Sequence, residues 1–208
     1  MAIELWAAFA LASCILLVIP GPTILTVISY SIAHGNRANV PLIVAVALGD
    51  ATALFLSLAG LGVVLATSAY LFTVIKWTGG LYLIYLGIKL MRSGSNTLSA
   101  PKADRLDSRW KLFANTWLVT ALNPKGMIFF IAFLPQFVDQ SQPVAPQLWI
   151  LSLTFVLLAT INAALYAVFA TAARRMLSSP RAQRRFNFGG GTLLILAGGW
   201  ALTAKQAA

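Results

Sequence analysis

Long apolar runs, separated by short polar connections, occupy most of the chain. At about 20 residues per bilayer crossing, the runs fall at about 5–33, 41–66, 70–91, 112–135, 147–173 and 187–204, which predicts an all-α integral membrane protein with six transmembrane helices. Two of these runs are interrupted. Pro20-Gly21-Pro22 divides the first and Asn123-Pro124-Lys125-Gly126 the fourth. A proline inside a helix lacks an N–H, clashes with the carbonyl four residues back and costs roughly 3 kcal/mol. The first and fourth helices are therefore expected to be broken. A break at membrane depth survives only where the freed backbone groups are buried in protein or line a wet cavity. Each break is thus a candidate binding site.

The breaks lie half a chain apart, and the third run of each half carries a similar pattern: Trp77-Thr78-Gly79-Gly80-Leu81-Tyr82-Leu83-Ile84-Tyr85-Leu86-Gly87 beside Phe188-Gly189-Gly190-Gly191-Thr192-Leu193-Leu194-Ile195-Leu196-Ala197-Gly198. Three crossings per copy make the two copies enter the membrane from opposite sides. The expected organisation is a first three-helix half at 1–91, a basic cytoplasmic linker at 92–111 and a second, inverted three-helix half at 112–208. Ala45, Gly49, Ala53 and Ser57 recur every four residues and predict a stripe for close helix packing. Tyr82 and Tyr85 fit either interior packing or a cavity wall, with packing the simpler reading.

Composition agrees with a bilayer environment. Only 10% of residues are charged and 59% are hydrophobic, with a mean hydropathy of +0.83. The first run is too long for a signal-peptide core and has no basic segment ahead of it, so it is expected to be mature structure. A net charge of +10 would suggest nucleic acid in a soluble protein. Here the cations cluster in two connections, one with Arg92, Lys102, Arg105, Arg109 and Lys111, the other with Arg174, Arg175, Arg181, Arg184 and Arg185. The intervening connections have no Lys or Arg, and this asymmetry predicts cytoplasmic basic loops with both termini outside. One cysteine, Cys14, and one histidine, His34, exclude a disulfide within the chain and argue against a soft-metal cluster, so no cofactor or metal is expected.

Asp50 is the one acid within a predicted crossing, about ten residues or roughly 15 Å from its cytoplasmic end. Charge at such depth costs at least about 2.5–3.5 kcal/mol and usually serves an ion or a substrate. The plainer alternative is a protonated Asp50 bonded to a neighbouring helix. Gly21 and Pro124 come out at a similar depth. The half-helix starting at Thr23 offers free N–H groups and a positive dipole end to a carboxylate, while Asp50 suits an ammonium group or a proton. Together they describe a receptor for a zwitterion. Lys125 can bind the carboxylate, pair with Asp50 or snorkel to water; Asn123 and Asn162 add neutral polar contacts. The expected substrate-binding set is Pro20, Gly21, Pro22, Thr23, Asp50, Asn123, Pro124, Lys125 and Asn162, with Asp50 also the proton-coupling residue.

Pro20-Gly21-Pro22, His34-Gly35, Leu48-Gly49-Asp50 and Lys76-Trp77 through Gly87, followed by Asn123-Pro124-Lys125, Phe129-Phe130 and Leu134-Pro135-Gln136-Phe137-Val138, resemble in order and spacing the lysine exporter superfamily, specifically its homoserine/threonine-efflux branch of amino-acid exporters. The resemblance covers nearly the whole chain. It implies a bacterial inner-membrane protein that exports amino acids or related metabolites, driven by the proton-motive force. It also carries roles onto Pro20, Gly21, Pro22, Asp50, Asn123, Pro124 and Lys125. Between Ser29 and Pro41 the sequence departs from the usual pattern, which bears on substrate choice. The expected partners are a small-molecule amino-acid substrate, protons and membrane lipids, without nucleic acid; homo-oligomerisation is left open. The rival readings are a channel or ion transporter of the same superfamily and a structural membrane protein. An intramembrane enzyme would need a nucleophile, base or metal constellation that these residues do not supply.

Overall fold

The computed structural model describes residues 1–67, 69–92, 108–139, 141–172 and 179–203, and those residues are helical apart from short breaks and turns. In chain order they form α1 (Ile3–Val18), α2 (Pro22–His34), α3 (Asn39–Thr67), α4 (Ala69–Arg92), α5 (Arg109–Ala121), α6 (Pro124–Ala132), α7 (Val144–Val168) and α8 (Pro180–Thr203). Most of the expected linker at 92–111, and Arg174 and Arg175 of the second basic cluster, lie outside the described residues.

Local chemistry explains the ends. Pro22 and Pro124 each stand in the first turn of their helix, where a missing N–H costs nothing. The residues before the prolines are pushed out of the helical region: Ile19 (φ −73°, ψ 111°), Gly21 (φ −106°, ψ −170°) and Asn123 (φ −69°, ψ 110°) are all extended. Ser108 caps α5 by accepting from the Trp110 N–H at 3.2 Å. Asn123 caps α6 by accepting from the Lys125 N–H at 3.2 Å.

The last helix begins earlier than its apolar run suggests. Ser179 accepts from the Ala182 N–H at 3.4 Å and Pro180 opens α8, so Arg181, Arg184 and Arg185 lie on its first turns rather than in a loop. A Ser-Pro pair is a start signal that the hydropathy of 187–204 does not register.

By length and composition, Pro22–Gly60 and Val144–Val168 can each cross a bilayer among the described residues. The pair Arg109–Ala121 and Pro124–Phe137, bent by 43°, makes a third if taken as one span. Pro22–Gly60 is not one straight rod. On a straight helix Gly21 and Asp50 would stand roughly 40 Å apart at 1.5 Å per residue, yet both line one cavity, so the chain doubles back between them. The reversal falls at the 3-10 turn Gly35–Ala38, entered through Gly35 at φ 65°, a left-handed conformation that glycine adopts without strain.

Packing centres on α3, which lies against α5, α6 and α7, while α7 also touches α1 and α2, and α4 lies along α8. The small-residue stripe does what its spacing predicts: Ala45, Gly49, Ala53 and Ser57 are all buried, and a Cβ on Gly49 would come within 2.6 Å of Thr120 Cβ. On α7, Leu151, Phe155, Ala159, Ala163 and Ala167 face inward while Trp149, Leu153, Leu157, Ile161 and Leu165 are exposed. A helix apolar on both its inner and outer faces is at home in lipid. Tyr85 departs from the sequence reading. It is 55% exposed, because α4 packs chiefly on α8 and leaves Trp77, Leu81, Tyr85 and Ile88 on its outer side.

Candidate functional site

Proline chemistry sets the problem at the first break. In an unbroken helix the Leu16 carbonyl would accept from the N–H of residue 20, and the Val18 carbonyl from that of residue 22. Both positions are proline and have no N–H to give. With the helix ended at Val18, the carbonyls of Leu17 and Ile19 lose their partners as well.

Side chains from the second half of the chain supply all four donors. Lys125 Nζ donates to the carbonyl oxygens of Leu16 and Ile19, each at 2.6 Å. Asn162 Nδ2 donates to Leu17 O at 3.1 Å, and the Tyr166 hydroxyl donates to Val18 O at 2.8 Å. Asn123 joins the two breaks. Its amide nitrogen donates to Thr23 Oγ1 at 3.1 Å while its carbonyl oxygen caps α6.

A cavity of about 40 Å³ opens beside this network, lined by Gly21, Thr23, Asp50, Asn123, Lys125 and Asn162 together with apolar side chains that include Val46 and Phe155. It lies between an aromatic core around Phe129, Phe130, Phe133 and Phe155 and a smaller aliphatic one around Val27, Leu42 and Val46. The volume is enough to hold water.

Six of the nine residues expected from the sequence therefore share one cavity. Pro20, Pro22 and Pro124 do not line it. A proline has no donor to offer a ligand; these three direct the chain, Pro20 and Pro22 removing N–H groups that would otherwise satisfy α1 and Pro124 one that would otherwise serve Thr120 of α5. Asp50 is buried at 8% exposure on α3, with Lys125 the cation within electrostatic reach in the same cavity. Lys125 donates to two backbone carbonyls, partners not foreseen from the sequence, and it lines the same cavity as Asp50, within electrostatic reach of it. Gly21 has φ −106°, which any residue tolerates, and a Cβ there would touch Lys125 Cδ at 3.5 Å. Its smallness counts through space, not backbone conformation.

Tyr166 is absent from the sequence-based set. Its position four residues after Asn162 puts both on one face of α7, and the two prolines already name the carbonyls in need of donors. Those two signals together would have pointed to it.

The family model described as LysE type translocator matches residues 14–205. The chain belongs to the LysE-type translocators. The chain is 30% identical over 207 residues to a homoserine/homoserine lactone efflux protein of Salmonella typhimurium, covering 100% of both. It is 31% identical over 205 residues to an uncharacterized membrane protein of Vibrio cholerae, covering 99% of this chain and 100% of that one. A leucine efflux protein of Salmonella choleraesuis is 26% identical over 135 residues, 65% of this chain and 64% of the relative. No solved structure matches the chain. As a LysE-type translocator it is a multi-pass membrane transport protein and not an enzyme.

Proposed function

We propose that this translocator is a secondary active exporter of amino acids or closely related metabolites, coupled to protons and resident in the bacterial inner membrane with both termini outside. The architecture read here is six transmembrane helices in two inverted three-helix repeats, with the first and fourth helices broken at the proline motifs. Reciprocal packing supports the repeat: α3 of the first half lies on α5 and α6, and α7 of the second lies on α1 and α2. The names carried by the homoserine and leucine efflux relatives support the substrate class.

One observation carries the mechanism: both helix breaks and the buried acid Asp50 open onto the same small cavity. A zwitterion fits that arrangement. The first turn of α2 directs backbone N–H groups and the positive dipole end toward a carboxylate, while Asp50 offers a counter-charge to an ammonium or a binding place for a proton. Occupation by one or the other couples export to proton entry. Loading from one side and release to the other then requires the two halves to move against each other, which is alternating access around a single site.

Asp50→Asn tests the assignment. In proteoliposomes the variant is expected to lose efflux driven by a pH gradient, since the amide neither titrates nor carries charge. Efflux at the wild-type level, from equal amounts of reconstituted protein, removes Asp50 from the coupling role.

A further inference from the structure

The group that fills the end of α1 is a primary ammonium. Lys125 Nζ sits between the Leu16 and Ile19 carbonyl oxygens at 2.6 Å from each. These oxygens belong to the C-terminal turn of α1, where unpaired carbonyls and the negative end of the helix dipole favour a cation. The cage borders the cavity: Leu16, Ile19 and Lys125 all line it, as do Asp50 and Thr23. Held there, the Lys125 stem also takes up space beside Gly21, whose position for a Cβ is 3.5 Å from Lys125 Cδ.

We infer that the Leu16 and Ile19 carbonyls form a primary-ammonium site that Lys125 occupies only in the substrate-free state, and that the α-amino group of the substrate takes its place during transport. This rests on the amino-acid export reading above and says where the amine binds. The exchange conserves charge and hydrogen bonds. One –NH3+ leaves two carbonyl acceptors and another –NH3+ takes them up, so the helix end is never left unsatisfied. The displaced Lys125 has a counter-charge waiting in the same cavity, the Asp50 carboxylate, so the ammonium that alternates there with a proton is the lysine's, while the substrate amine takes the carbonyls. The substrate carboxylate, carried in on the same molecule, faces the N-terminus of α2 across the break. Amine and acid of a zwitterion thus meet the two ends of one interrupted helix, carbonyls on one side and N–H groups on the other. Asn162 and Tyr166 hold the remaining two carbonyls, Leu17 and Val18, and leave the two that Lys125 occupies as the exchangeable pair.

The test empties the cage. Full-length Lys125→Ala in detergent is expected to bind radiolabelled methylammonium on the order of tenfold tighter than wild type, comparable to the gain from one charge-assisted hydrogen bond. Tetramethylammonium, which has no N–H, is expected not to compete. At least one member of a panel of the standard amino acids and homoserine should displace the bound methylammonium, while 4-methylpentanoate and 4-hydroxybutyrate, the amine-free counterparts of leucine and homoserine, should not. Equal methylammonium binding to both proteins overturns the cage. Tight binding that no amino acid displaces makes Lys125 a structural cap alone and overturns the exchange. Should the variant fail to fold, recovery of the protein from cells grown with methylammonium is compared with recovery from cells grown with tetramethylammonium. Higher recovery with methylammonium supports the cage, equal recovery overturns it, and protein recovered in that way enters the same competition. Amino-acid counterflow by wild-type proteoliposomes tests the export reading separately.

Discussion

Pro20 and Pro22 act by what they lack. Each deletes one backbone donor, and with the helix ended the four carbonyls from Leu16 to Ile19 turn to Lys125, Asn162 and Tyr166. Leu16, Leu17 and Ile19 border the cavity and Val18 does not, so in lipid the Val18 carbonyl has no water to replace its donor. Tyr166→Phe isolates that donor, because it removes only the hydroxyl that donates to Val18 O. The expected cost is about 1–3 kcal/mol, read as a lower thermal midpoint in detergent. An unchanged midpoint would mean that the Val18 carbonyl finds another donor.

The breaks decide how each half-helix ends. α1 ends on carbonyls answered by side chains from far along the chain and α2 starts with no side-chain cap, with an extended Ile19 and Gly21 between them; at the second break Asn123 caps α6 and reaches across to Thr23. One residue holds the interruption open on the carbonyl side. Pro20→Ala restores an N–H aimed at the Leu16 carbonyl and relieves the steric pressure on Ile19, allowing α1 to continue. A helix-interior proline costs roughly 3 kcal/mol, so part of that sum should return, and the variant is expected to melt at or above the native midpoint. Its efflux should nevertheless fall well below native, because one oxygen of the ammonium cage is taken up by the backbone. Native efflux in a proteoliposome assay would show that the interruption is dispensable.

In the whole molecule, α4 and α8 meet along a glycine seam. A Cβ on Gly87 of α4 would lie 2.5 Å from the Gly191 carbonyl oxygen and 2.7 Å from Ile195 Cγ1 of α8. Backbone on the far side cannot rotate away as a side chain could. Gly87→Val is expected to cost at least about 1–3 kcal/mol and to reduce the monodisperse fraction on size exclusion. Gly60→Ala, with nothing within 4 Å of the new methyl, serves as the control that should behave as native. A native elution profile for Gly87→Val would mean that α4 and α8 separate readily.

Much of this was legible one-dimensionally. Apolar runs report the transfer free energy of each segment, prolines act on their own carbonyl four residues back, and a lone acid in an apolar run is costly wherever the run goes. Helix positions, both interruptions and Asp50 as the group of interest follow from such local rules. The early start of α8 was also written locally, in Ser179-Pro180, but in polar residues that hydropathy ignores. Which groups answer the missing donors could not be read that way. Lys125 lies 109 and 106 residues from the carbonyls it caps, and Asn162 and Tyr166 lie 145 and 148 from theirs. The amino-acid order dictates that a helix end goes unsatisfied; only the packing of α6 and α7 against that end selects its partners, because hydrogen bonds across the fold depend on approach in space rather than on separation along the chain.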